Sequence, residues 1–385
     1  MPARSIFFAA LACFLPALAA QTVPPSVAPP GKVKIPVKNL PIFVKAQPDL
    51  TGEALVIEKD DGVVRFAKDG SNVRTVSVTE HILSDAGVRD AGILSYPFAA
   101  LTQTVTFDFV RVHKPSGEVI ETPAGDAQEV PMPVTQAAPM YSDLRTKQLP
   151  VKSLGVGDTL EYHVTVKDTN ADAPGVFWYA MDFTSGVPVK EETLELRVPR
   201  ELSVLVKSKK VQPEVSDDGG ERVYRWRHET ASEYPKKDEK DKTAAVDTVQ
   251  EMYEPDVAMS SFHTWAEMGA WYRGLMKDRA APDAAIQAKA DELTHGLTTD
   301  DAKVDALYNY VATQYRYIAV SFGIGRLQPH MASEVFRNQY GDCKDKHTLL
   351  EAMLAAEKIE AEPVLIGSAV RVNEALPLPS QFDHM

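Results

Sequence analysis

Apolar residues alternate with polar ones from Ala54 to Trp226 and recur every third or fourth position from Phe262 onward, so the chain joins two differently built parts. In the first part, Ala54–Ile57, Val63–Ala67, Thr75–Val78, Thr104–Val112, Thr159–Val166, Thr193–Val198 and Arg222–Trp226 each read as a strand. Asp60-Asp61-Gly62 lies between two of these and predicts a hairpin turn. Lys114-Pro115-Ser116-Gly117, ahead of Glu118-Val119-Ile120, predicts another. Short alternating strands at modest spacing point to antiparallel sheets packed as a sandwich. In the second part, Phe262–Lys277, Ala284–Leu297, Thr299–Tyr315 and His330–Asn338 carry helical spacing. Trp265, Met268, Trp271, Tyr272 and Leu275 fall on such a spacing and read as core rather than as contacts to a cofactor.

The boundaries follow from composition. Gln21–Pro48 is rich in Pro and Val without a helical period, which predicts an extended leader over 21–50. The β-rich part is expected over 51–235. The mixed-charge run Pro235–Lys242 opens a solvated linker, 236–260, and the helical part occupies 261–385. Residues 1–20 read as a secretory signal peptide: Arg4 gives the positive start, Ile6–Leu15 the apolar run, and Ala17-Leu18-Ala19-Ala20 the small residues at a cleavage site. The apolar run is too short to span a bilayer and Pro16 interrupts it, which argues against a retained anchor. Cys13 is an alternative lipidation site, but the apolar run continues past it. Export predicts a periplasmic or extracellular protein with no stable membrane span after cleavage.

The two cysteines are Cys13 and Cys343, so processing leaves Cys343 alone. A lone thiol in an oxidising compartment has no internal disulfide partner, and it is either a reactive group or an inert core residue. The formal net charge of -13 excludes no fold, but it argues against nucleic acid or an anionic membrane surface as the main partner.

Cys343 sits in Tyr340-Gly341-Asp342-Cys343-Lys344-Asp345-Lys346-His347-Thr348-Leu349-Leu350. Gly341 permits a tight turn, Asp342 is a candidate helix N-cap, and Asp345 completes a capping-box spacing. Cys343 then falls on the first helical turn, where unpaired backbone N–H groups favour a thiolate and can hold an oxyanion. Lys344 and Lys346 are expected to assist the thiolate electrostatically, Asp342 and Asp345 to oppose it. A thiolate needs a base. His384 follows the strand-like Pro363-Val364-Leu365-Ile366 and is one candidate. His347, one turn along the same helix, is the other, as a base, half of a metal site, or an ordinary surface residue.

The Gly341–Lys346 motif, Leu349-Leu350, Ile359-Glu360-Ala361, Pro363-Val364-Leu365 and Phe382-Asp383-His384 resemble the transglutaminase-like core of bacterial proteins, a branch of the papain-like cysteine protease superfamily. Ile324–His330 and Ala332–Phe336 carry the same likeness. Tyr141–Arg145, Leu154–Tyr162 and Val187-Pro188-Val189 resemble the β-rich domain of unknown function that commonly precedes that core. The resemblance implies an α+β papain-like core with a Cys-His-Asp triad acting on amides. Cys343 would be the nucleophile and His384 the base, with Gln328 as a second oxyanion donor. An ordinary loop hydrogen bond is the competing reading for Gln328. The third member, an Asp, would lie on a strand beyond His384, so 261–385 is expected to be a core cut short. Asp383 would point the opposite way on a strand and is a poor substitute. Related cores often carry Gly where this chain has Lys358, at a left-handed helix end. No cofactor or metal is implied.

Two functions compete. One is secreted cysteine-dependent acyl transfer or amide hydrolysis on a peptide or protein amide. The other is a non-catalytic envelope binding or scaffold protein with a degenerate core. Substrate and oligomeric state are not readable.

Overall fold

The computed structural model describes residues 48–132, 144–169, 171, 173–231, 254–318, 327–367 and 372–385. The expected signal peptide, most of the leader, Tyr141-Ser142-Asp143, the charged run Pro235–Lys242 and Ile324-Gly325-Arg326 lie outside these residues.

The β-rich part runs in chain order through β1 (Leu55–Phe66), β2 (Asn72–Ile82), helix α1 (Asp85–Ala91), β3 (Ile93–Ala99), β4 (Gln103–His113), β5 (Val119–Glu121), β6 (Gln128–Pro131) and β7 (Leu144–Pro150). It continues through β8 (Thr159–Asp168), β9 (Trp178–Met181), β10 (Glu192–Pro199), β11 (Leu205–Ser208), β12 (Glu214–Asp218), β13 (Glu221–His228) and β14 (Val257–Ser260). An eight-stranded sheet has the order β12-β13-β10-β1-β2-β8-β4-β5. Its neighbours are antiparallel except β1 and β10, which run parallel with Asp60 opposite Glu192. Two three-stranded sheets, β3-β7-β6 and β11-β14-β9, supply the facing layer. The arrangement is sandwich-like, as the alternation predicts.

Each small sheet closes its own core. Leu94, Phe98 and Leu149 pack with Val78, Phe107, Val110 and Leu160. Val257 and Met259 pack with Val64, Phe66, Leu196 and Trp226, whose indole N–H donates to Ser208 Oγ at 2.9 Å. Full burial of such side chains contributes about 1.5–3 kcal/mol each.

Three features depart from the sequence reading. The hairpin turn expected at Asp60-Asp61-Gly62 does not form: β1 runs straight through it, because it is paired on both edges, by β2 and by β10. The turn comes at the second Asp-Gly, where Gly70 takes φ +91 and its N–H reaches Ala67 O at 3.1 Å. Helix α1 is too short to show a period. Val257–Ser260, the last residues of the expected 236–260 linker, are instead a strand buried along its length, so it shows no alternation. The hairpin at Lys114–Gly117 forms, with Gly117 at φ +90 and Lys114 N bonded to Glu118 O at 2.8 Å.

The second part contains α2 (Trp265–Met276), α3 (Ala284–Thr294), α4 (Asp300–Gln314), β15 (Arg316–Tyr317), α5 (Ala332–Asn338), β16 (Tyr340–Gly341) and α6 (Cys343–Ala356). Thr264, Asp283 and Thr299 cap three of these helices with side-chain oxygens on backbone N–H groups. Leu349, Ala352 and Met353 of α6 are buried against Ile286, Ala290, Leu307, Val311, Ala332 and Val335, so α6 is the central helix of this core. That burial fixes the one end that matters for chemistry, the first turn at Cys343.

Candidate functional site

The first turn of α6 is built by three residues. Asp342 has extended backbone and its side chain accepts the Asp345 N–H at 3.2 Å. The Asp345 carboxylate reaches back to the Asp342 N–H at 3.4 Å, which closes the capping box. Gly341 lets Asp345 come close: a Cβ on Gly341 would stand 2.5 Å from Asp345 Cβ. Ahead of them β16 pairs in parallel with β15, and the Ile318 N–H donates to Gly341 O at 3.0 Å.

The charges around this turn form a buried network that spacing alone did not reveal. Asp345 is fully buried and accepts from the His330 N–H at 2.8 Å and from His330 Nδ1 at 3.1 Å. Burial opposes the charge on both groups. The hydrogen bonds and charge of the pair outweigh it, holding Asp345 below the usual carboxylate range and raising the His330 imidazole. Lys344 is buried against Asp342 and ion-paired with it. Burial pushes the Asp342 carboxyl up, and Lys344 only partly offsets this.

The two lysines expected to assist Cys343 are therefore committed elsewhere. Lys344 is neutralised by Asp342. Lys346 donates to Ala312 O at 3.0 Å and Tyr315 O at 3.1 Å, capping the end of α4. What remains at the thiol is the helix start itself.

Cys343 is half-buried and reduced, and its Sγ lies 3.9 Å from the carbonyl oxygen of Asp383. The segment carrying His384 is thus folded back onto the helix start, across forty residues of sequence. His384 is held by its backbone: its N–H donates to Ile366 O at 3.0 Å and its carbonyl accepts from Ile366 N at 2.8 Å. Among the described residues the two segments meet in this antiparallel bridge, and Pro363-Val364-Leu365 is irregular.

Two tyrosines also face the thiol. Burial first, then the nearby Cys343 and Asp342, pushes the Tyr272 hydroxyl above its ordinary range. Tyr317 on β15 is half-exposed, and partial burial with the nearby Cys343 pushes its hydroxyl up to about 12. Neither tyrosine is marked in the sequence as a neighbour of Cys343, because the fold and not local spacing brings them in.

The remaining candidates sit elsewhere. Gln328 donates from Nε2 to Leu275 O at 3.3 Å, a loop-to-helix bond rather than a bond at Cys343. His347 turns to Glu351, with Nδ1 3.6 Å from Oε2. Burial lowers the His347 imidazole and raises the Glu351 carboxyl, so both favour their neutral forms.

Comparison with known proteins accords with this division. Residues 68–234 match the family model of a Domain of Unknown Function, DUF3857, and residues 287–368 match that of the Transglutaminase-like superfamily. The chain is thus similar to the first model over its β-rich part and to the second over the helical part that includes Cys343. No curated protein sequence matches it. Among solved structures, a "putative protease" from Parabacteroides distasonis superposes with a TM-score of 0.66 at 16% identity, over 80% of this chain. The aligned region spans 59% of that protein's length. The likeness is one of fold. An M1 zinc metallopeptidase from Deinococcus radiodurans aligns at a TM-score of 0.26 and 9% identity, over 46% of this chain and 39% of its own, and carries no structural argument.

Proposed function

We propose that the protein is a cysteine-dependent enzyme that cleaves or transfers the acyl group of a peptide or protein amide. The observation that carries this reading is the approach of Asp383, the residue before His384, to a thiol on the first turn of a capped, buried helix. In this reading Cys343 Sγ adds to the amide carbonyl while His384 takes the thiol proton. The tetrahedral oxyanion is held by backbone N–H groups of the first turn of α6. Collapse expels the amine, which receives the proton from His384, and leaves a thioester on Cys343. Water or a second amine then resolves the thioester, giving hydrolysis or transfer. The transglutaminase-like match and the fold shared with a protein named as a protease support a peptide-type substrate.

We also propose export. Arg4, the apolar run Ile6–Leu15 and the small residues before Gln21 support a cleaved signal and a periplasmic or extracellular product. N-terminal sequencing of the chain expressed in a bacterial host tests this, and a product that keeps residues 1–20 in the cytoplasm contradicts it.

The chemical test is amide turnover on a pool of synthetic peptides, with and without a primary amine, read by mass spectrometry. Product formed by the wild-type chain and absent in Cys343→Ala supports the proposal. Equal product from both, or none from either, overturns it.

A further inference from the structure

The segment before His384 is seated on β14 of the β-rich part and on Trp265 at the start of α2. Ser260 at the end of β14 is fully buried, and its hydroxyl donates to Pro377 O at 2.6 Å. Leu376 and Leu378, both buried, pack on Ala258 of the same strand. The Trp265 indole N–H donates to Glu374 O at 2.8 Å, and its ring meets Phe382 edge-on with centroids 6.0 Å apart. Glu254, just ahead of β14, accepts from Asn373 Nδ2 at 3.2 Å. Inside the segment Gln381 closes the loop, accepting from the Asn373 N–H and donating to Leu376 O at 2.7 Å. On the core side, His384 itself is held by its backbone bridge to Ile366.

We infer that strand Val257–Ser260 and Trp265 are the positioning elements for His384, so that β14, the last strand of the β-rich part, helps to complete the site together with the start of α2. The inference rests on the reading of Cys343 and His384 as a nucleophile–base pair. A loop fastened at one point by a single bridge would leave the imidazole free to swing, and a general base must be held within hydrogen-bond reach of its proton. The buried bond from Ser260 and the indole bond from Trp265 clamp the loop on its other side, two and five residues ahead of the 3-10 turn Pro379–Gln381 that leads into His384. The partners accept through backbone carbonyls, so the clamp fixes the path of the chain whatever side chains the loop carries. Trp265 and Ser260 touch neither Cys343 nor a reacting atom in this arrangement; they act through the loop.

The test follows the His384 ring directly. In the full chain with labelled histidines, the His384 ring resonance is assigned by its loss in His384→Ala. It is then followed as Cys343 is alkylated with iodoacetamide, and the alkylation rate is measured in parallel. In the wild type, alkylation is expected to move the resonance. In Trp265→Phe, which keeps a ring but loses the indole donor, and in Ser260→Ala, the response is expected to shrink and alkylation to slow about tenfold, with near-UV circular dichroism unchanged. Ser260→Ala reads the same clamp through a different bond should Trp265→Phe not fold. Folded variants that keep both the wild-type response and the wild-type rate overturn the proposal and leave the Cys343–His384 reading intact. A wild-type His384 resonance that ignores alkylation overturns that reading and the clamp with it.

Discussion

Asp345 is joined to His330 by the His330 N–H at 2.8 Å and by Nδ1 at 3.1 Å and 3.2 Å from its two oxygens, beneath the first turn of the helix that presents Cys343. Because Asp345 is fully buried, removing the His330 imidazole takes a charged partner from a carboxylate in the core. His330→Ala should lower stability by about 3 kcal/mol on that ground. The imidazole is raised above its ordinary value, so its contribution is complete below the unfolded pKa and is lost as pH rises through the folded one. Urea unfolding of wild type and variant should therefore differ more at pH 5.5 than at pH 8.5.

Gly341 is needed for space rather than for an unusual backbone angle. Gly341→Ala puts a methyl against Asp345 Cβ and should cost about 1–3 kcal/mol, as overpacking does. The displaced carboxylate would release both the cap and His330. Thermal unfolding measures the loss, and an unchanged midpoint would mean that the turn yields freely.

Lys358 ends α6 in the left-handed region at φ +63, with Lys358 N bonded to Ala355 O at 3.0 Å and Ile359 N to Leu354 O at 2.9 Å. The paired bonds are those of a Schellman end, where a side chain is a penalty of about 1 kcal/mol. Lys358→Gly should raise the unfolding free energy by about that amount without altering reactivity at Cys343.

The β-rich part carries a polar seam on the face it packs against its small sheets. Burial, then Glu192, Asp61 and Glu80, pushes the Asp60 carboxyl up to about 7. Burial pushes Glu80 up to about 6, against a hydrogen bond from Tyr162. Both groups bind their protons more tightly folded than unfolded. They therefore favour folding at low pH, and stability falls as pH rises from about 4 and levels off above about 7. Asp60→Asn should stabilise the chain at pH 8, by about 1–3 kcal/mol, and much less at pH 5. Denaturant titrations at the two pH values check this.

Much of this molecule is legible in its residues, and the exceptions share a cause. The strands at Thr104–Val112, Thr159–Val166, Thr193–Val198 and Arg222–Trp226 form because each buries one face, which a period of two reports directly. The helix start at Asp342-Cys343 was readable because capping is local: the cap, the glycine and Asp345 lie within five residues. Asp60-Asp61-Gly62 misled because a turn motif competes with pairing on both strand edges, and pairing is not local. The pairing of His330 with Asp345, the docking of Ser260 on Pro377 and the approach of Tyr317 to Cys343 join residues far apart in the chain. No spacing rule connects them. Lys344 and Lys346 illustrate the same point for charge, since their signs are plain in the sequence but their partners are not.

The central claim is that the fold makes Cys343 a nucleophile. The most direct measurement is the rate at which p-nitrophenyl acetate acetylates Cys343, followed by intact mass in the folded chain and in the same chain unfolded in urea at equal pH. The account predicts acetylation about tenfold or more faster in the folded chain, confined to Cys343 and slowed in His384→Ala. Acetylation no faster in the folded chain than in the unfolded one would contradict it.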